Sequence, residues 1–146
     1  MDNKHLSLDE ARDLALRALL HNGCDEANAA AAADRMVQAE ADRCHSHGLF
    51  RLPWYVAGVQ SGKVNGRAKP AVEQLAPAVI RVDGDNGFAP LGHRIAHQPL
   101  VDCARECGIA SLVYVNMFHI AAMWPEVEAL AEDGLCAFAF TASYPY

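Results

Sequence analysis

Twice in the second half of this chain a helical run ends at a glycine and a nearly all-apolar run follows. Arg105-Glu106-Cys107-Gly108 leads into residues 109–115, and Ala131-Glu132-Asp133-Gly134 leads into residues 135–140. A glycine in that place closes a helix in the left-handed conformation. An apolar run of this length, rich in Val, Ile, Leu and Phe, reads as a strand covered on both faces. Helix, glycine and buried-type strand in succession define an α/β chain whose parallel strands are joined by right-handed crossovers.

The first half reads differently. Ser7-Leu8-Asp9-Glu10 has the form of a capping box, and Leu8, Ala11, Leu14, Ala15, Ala18 and Leu19 follow at helical spacing. Asn22-Gly23 stops that helix. Asp25 caps a second one through an alanine run to about Asp42, with Ala29, Ala33, Met36 and Val37 on one face. The pair is expected to pack antiparallel and to need further apolar cover from the chain or a second subunit. Residues 52–61 read as a short helix, 62–66 as a turn, and 68–78, with two prolines, as extended chain. Residues 79–82 are a strand that Asp83-Gly84-Asp85-Asn86-Gly87 should stop, and Pro90 begins a helix to about Cys107. The last apolar run lies close to Tyr146, so few strands remain to neighbour it.

Chemistry concentrates between the two halves. Cys44-His45-Ser46-His47-Gly48-Leu49-Phe50-Arg51-Leu52-Pro53 follows the alanine-rich helix, where a rigid element holds reactive side chains at its end. His47 can give a proton to a substrate, while the Ser46 hydroxyl can relay to solvent or to a carboxylate. Arg51 stands one helical turn on, and its fork suits a bidentate grip on a carboxylate. The alternative is a polar helix end, with His47 capping carbonyls and Arg51 in water. Residues 116–123 follow an apolar strand, where ligands collect in open α/β sheets. His119 and the small Ala121 and Ala122 would let a flat or phosphate-bearing ligand come close; the same loop could also serve packing alone.

Other chemistries fit less well. Cys44, His45 and His47 are too tightly spaced for the usual zinc patterns. In a calcium loop the glycine of 83–87 would fall one place later, and Arg94 stands where the bidentate glutamate belongs. There is no GxGxxG and no phosphate-binding P-loop. A net charge of -6 without a Lys/Arg cluster speaks against a nucleic-acid surface. No apolar run approaches the roughly 18 residues of a membrane span, and Met1 to His5 lack the plan of a signal peptide. The expected location is the cytoplasm, where the five cysteines, odd in number and without CxxC, act as small buried hydrophobes.

The run Ala41-Asp42-Arg43-Cys44-His45-Ser46-His47-Gly48, with Arg51-Leu52-Pro53 and Tyr55, resembles the malate/L-lactate dehydrogenase family of NAD(P)H oxidoreductases, a non-Rossmann family. Val82-Asp83-Gly84-Asp85-Asn86-Gly87-Phe88 and Ala104-Arg105-Glu106-Cys107-Gly108-Ile109-Ala110 resemble it too. His119-Ile120-Ala121-Ala122-Met123-Trp124-Pro125-Glu126-Val127-Glu128 is most similar to the Δ1-piperideine-2-carboxylate/Δ1-pyrroline-2-carboxylate reductases within it. The resemblance implies an N-terminal helical pair followed by part of a mixed sheet with covering helices. It further implies an N-terminal helical, substrate-side region over 1–78 and an incomplete α/β cofactor-binding region over 79–146.

Residue by residue, the resemblance makes Ser46 the relay serine, His47 the proton donor and Arg51 the holder of the substrate carboxylate. His119, Ile120, Ala121, Ala122 and Met123 would line an NADPH site, with NADH also possible. The substrate is then a cyclic imino acid, Δ1-piperideine-2-carboxylate or Δ1-pyrroline-2-carboxylate, reduced to L-pipecolate or L-proline. A malate/L-lactate-type dehydrogenase acting on a 2-oxo acid is the alternative, with His47 protonating a carbonyl oxygen. Family members run to more than twice this length, so the chain matches an N-terminal portion of a homodimeric enzyme. The relay aspartate and the residues gripping the adenosine phosphate would lie beyond Tyr146. That leaves a third reading, a non-catalytic remnant that acts through dimerisation.

Overall fold

In the computed structural model, residues 5–118 and 121–141 are described. Helix α1 spans Leu8–His21 and α2 spans Glu26–Ala41. The capping box at Ser7 forms as its spacing predicts: Ser7 Oγ accepts the Glu10 amide at 3.2 Å, and the Glu10 carboxylate accepts the Ser7 amide at 2.8 Å. Asp25 caps α2 by accepting the Asn28 amide at 3.0 Å. Ala15, Leu19, Ala29, Ala32, Ala33 and Met36 are all buried in one cluster, and alanines on the facing side of α2 let the two axes approach closely.

The cover these helices require comes from later in the chain. Helix α3, Leu52–Gln60, adds Tyr55, whose ring lies 4.4 Å from that of Phe88 at the end of the second strand. Val64 closes the same core from the following turn. The sheet has three strands in the order β1 (Ala71–Ala76), β2 (Val79–Phe88), β3 (Ser111–Phe118). β1 pairs antiparallel with β2, and β2 pairs parallel with β3 across helix α4, Ala89–Cys107. Helix α5 covers Trp124–Glu132. Gly108 and Gly134 both end their helices at positive φ, 78° and 79°. No described helix is long and apolar enough to cross a membrane.

Three expectations are corrected. Asp83-Gly84-Asp85-Asn86-Gly87 does not stop the strand; β2 runs through it. The register passes from Asp83 opposite Val115 to Gly87 opposite Met117, so three residues face one and the extra length is thrown out as a bulge. Asp85 and Asn86 take φ of 50° and 55°, and the Asp83 carboxylate accepts the Asp85 amide at 3.0 Å. The bulge also serves the core: Asp85 accepts the Lys69 amide at 3.0 Å and the Asn65 side chain, which draws the 65–69 loop over the helices. A Cβ on Gly84 would collide with Met117, and one on Gly87 with Ala68.

The second correction concerns 135–140, which forms no strand. Phe138 and Phe140 are 86% and 89% exposed, and among the described residues no backbone ladder forms along the segment. An apolar run becomes a strand only where a neighbour supplies hydrogen bonds. For the same reason β3 is only partly covered. The third concerns the cysteines: Cys24 and Cys103 are buried, Cys44 is half-buried, and Cys107 and Cys136 are exposed. Cys103 and Cys107 do share a face, both donating to the Pro77 carbonyl, at 3.1 and 3.2 Å.

Candidate active site

The C-terminus of α2 decides where the reactive residues stand. Asp42 ends the helix, and Arg43 takes a positive φ of 58°. The Arg43 amide donates to the Glu40 carbonyl at 3.0 Å and the Cys44 amide to the Ala39 carbonyl at 2.8 Å. That pair of bonds is a Schellman termination, here with arginine where glycine is usual. The chain reverses and enters two short 3₁₀ turns, His45–His47 and Leu49–Arg51, before α3 begins with Pro53 in its first turn.

One carboxylate ties the two turns together. Glu40 Oε1 accepts the Leu49 amide at 2.8 Å, and Oε2 faces His45 Nδ1 at 2.5 Å. The sequence reading missed Glu40, because nothing in local spacing distinguishes it from Glu26, the other glutamate of α2.

Within this frame the Ser46 hydroxyl lies 3.0 Å from His47 Nδ1. With the hydroxyl donating, Nδ1 is the acceptor and Nε2 carries the proton. Cys44 Sγ lies 3.5 Å from the same Nδ1 and 3.8 Å from Ser46 Oγ, so Ser46 is the closer partner. Arg51 Nε donates to the Ser46 carbonyl at 2.8 Å, and its guanidinium carbon stands 5.6 Å from the centre of the Trp54 ring. Fixing Nε leaves the two terminal amino groups as the bidentate end of the fork. Among the described residues no carboxylate pairs with Arg51. Ser46, His47 and Arg51 are thus brought onto one surface.

Of the expected cofactor-site residues, His119 and Ile120 lie outside the described residues. Ala121 and Ala122 are buried, and Met123 is half-buried at the start of α5. The next residue, Trp124, returns the chain to the histidine: its ring stands edge-on to that of His47, 6.3 Å between centres at 74°. The Trp124 indole N–H donates to Asp42 Oδ2 at 2.8 Å.

Behind α5 lies a buried polar cluster. Arg35 pairs with Glu126 at 3.0 Å, both side chains about one-seventh exposed or less (13% and 14%). His93 Nε2 is 3.4 Å from the same carboxylate, and His93 Nδ1 is 2.6 Å from the Tyr114 hydroxyl. Burial pushes the Glu126 carboxyl upward against the pull of Arg35, and burial likewise pushes the Tyr114 phenol up. A cavity of about 340 Å³ adjoins the cluster. Its partners are about 90 residues apart in sequence (Arg35 and Glu126), which hid the pair from sequence reading.

One turn thus presents a histidine–serine pair and a pinned arginine, groups able to move a proton and to grip a carboxylate. The fold matches the Δ1-piperideine-2-carboxylate reductase of Pseudomonas syringae pv. tomato with a TM-score of 0.86 at 39% identity, over 90% of this chain and 40% of that one. It matches the malate dehydrogenase of Pyrococcus horikoshii with a TM-score of 0.81 at 28% identity, over 90% of this chain and 38% of that one. In sequence it is 45% identical over 136 residues to the Δ1-pyrroline-2-carboxylate reductase of Ancylobacter novellus, 93% of this chain and 40% of that protein. Residues 6–146 match the malate/L-lactate dehydrogenase family, and the chain belongs to it. The chain spans about two-fifths of the length of these relatives.

Proposed function

We propose that the chain carries the proton-donor and carboxylate-binding side of an NAD(P)H-dependent reductase of cyclic imino acids. The reaction is Δ1-piperideine-2-carboxylate to L-pipecolate or Δ1-pyrroline-2-carboxylate to L-proline. The observation that carries this reading is the 3.0 Å Ser46–His47 contact with Arg51 tied to the Ser46 carbonyl. One short segment then holds a proton donor and a carboxylate fork at fixed separation, as a 2-carboxylated imine requires.

The Arg51 fork binds the ring carboxylate and so orients the adjacent C=N bond. When protonated on both nitrogens, His47 gives its Nε2 proton to the imine nitrogen and is left as the neutral imidazole, with the Ser46 hydroxyl accepting from Nδ1–H. NADPH, when bound, supplies the hydride that reaches the imine carbon. Residues 119–123 are the proposed cofactor stretch. Residues 1–78 would form the substrate side and 79–146 part of the cofactor side, in a homodimeric enzyme of the cytoplasm. The reductases among its relatives support the imine substrate over a 2-oxo acid.

The test is NADPH oxidation by the purified, folded chain with Δ1-piperideine-2-carboxylate, with pyruvate and oxaloacetate run beside it. The expected result is turnover of the imine that His47→Ala abolishes. Faster turnover of either oxo acid would move the chain to the 2-hydroxyacid dehydrogenases. No turnover of any of the three would overturn the enzymatic reading of these residues.

A further inference from the structure

Helix α5 is fastened to α2 at three points. Trp124 donates to Asp42 at 2.8 Å, Glu126 pairs with Arg35 at 3.0 Å, and Glu128 accepts from Gln38 at 3.1 Å. Pro125 between the first two is buried. The helix that follows the proposed cofactor stretch is therefore locked to the helix that leads into the proton-donor turn. At the point where they meet, Trp124 touches both Asp42 and the His47 ring.

We propose that Trp124 is a positioning residue for His47, its indole anchored by Asp42 and fixing the plane of the imidazole by edge-to-face contact. The inference rests on the reading of His47 as proton donor. Ser46 and, at 3.5 Å, Cys44 both meet one atom of the ring, Nδ1, and leave the ring free to swing about that point. A second contact on a different part of the ring removes that freedom. The indole is suited to this because its own N–H is used in the Asp42 bond, so its plane is set before the histidine meets it. The contact also links geometry across the site: Trp124 directly follows Met123, so the ring that receives His47 moves with the cofactor stretch.

The deciding experiment is the ring-proton spectrum of the histidines in this chain, with His47 assigned through His47→Gln. The His47 signals are expected to carry a ring-current displacement that Trp124→Ala removes, and that Trp124→Phe, which keeps a ring but loses the Asp42 bond, and Asp42→Ala each leave in part. His93 and His97 contact Glu126 and Asp133 on and just after α5, so their unchanged signals show that the helix has stayed in place. If they do move in Trp124→Ala, the comparison with Trp124→Phe and Asp42→Ala decides instead. His47 signals that ignore all three substitutions would overturn the proposal. With the imine as substrate, Trp124→Ala should lower kcat by about tenfold or more while sparing the KM for NADPH, and Trp124→Phe should recover only part of it. An unchanged kcat in Trp124→Ala would also overturn it. If the parent chain turns nothing over, the reductase reading fails, while the spectrum still decides whether Trp124 orients His47.

Discussion

The Glu40 carboxylate fills the space that a side chain on Gly48 would need. A Cβ built on Gly48 would collide with the Glu40 carboxylate and stand 2.8 Å from its Cγ. That carboxylate cannot swing away freely, because it holds the Leu49 amide and His45. Gly48→Ala should therefore destabilise the chain by about 1–3 kcal/mol, the usual range for overpacking. Glu40→Ala in the same chain should recover part of that loss. Urea unfolding of the two single variants and the double variant checks it, and additive effects would mean the two residues are not coupled.

Arg43 sits in the left-handed region at the end of α2, where a side chain is strained. Arg43→Gly should stabilise the chain by about 1 kcal/mol, the scale of that strain. A rise in the urea midpoint at unchanged slope is the expected result.

His47→Asn should lower turnover of the imine by at least about a hundredfold, the scale of general-acid catalysis. NADPH affinity, followed by nucleotide fluorescence, should stay unchanged. Arg51→Lys should instead raise the KM for the imine more than it lowers kcat, since a single ammonium cannot match a bidentate fork.

Asp25 joins the cap of α2 to Lys69. Burial acts to raise its carboxyl, but the Lys69 ammonium at 2.7 Å and two bonds from Asn28 outweigh this and hold it down at about 2. The folded state therefore binds fewer protons than the unfolded one between about pH 4 and pH 2, and stability is lost as pH falls through that window. Asp25→Asn keeps a capping oxygen and should flatten this acid limb in pH-dependent thermal melts; a limb of the parent's steepness would refute the assignment.

Glu126 behaves in the opposite sense. With its carboxyl raised by burial, its ionised form depends on Arg35. Arg35→Met should cost about 3–5 kcal/mol at pH 7, because it strands a buried charge. Protonation relieves that charge, so the deficit should shrink as pH falls towards the ordinary glutamate range near about 4. A deficit independent of pH would show that the loss comes from packing alone.

What could be read from the sequence is what is local. The capping box at Ser7, the cap at Asp25, the stop at Asn22-Gly23 and the helix ends at Gly108 and Gly134 each depend on a few consecutive residues, so their chemistry determined them. The placing of Ser46, His47 and Arg51 on one short segment was legible for the same reason. The tertiary structure decided whatever depended on a distant partner. β2 continues through its turn-like residues because the 65–69 loop and Asn116 satisfy the bulge. The 135–140 run is no strand, because a strand is defined by its neighbour and none pairs with it among the described residues. Trp124 reaches His47 and Asp42, and Glu126 reaches Arg35, across about 80 to 90 residues of sequence. A periodic pattern records which face of an element is apolar, whereas the meeting of two side chains depends on how whole elements dock, and that is settled only when the core closes.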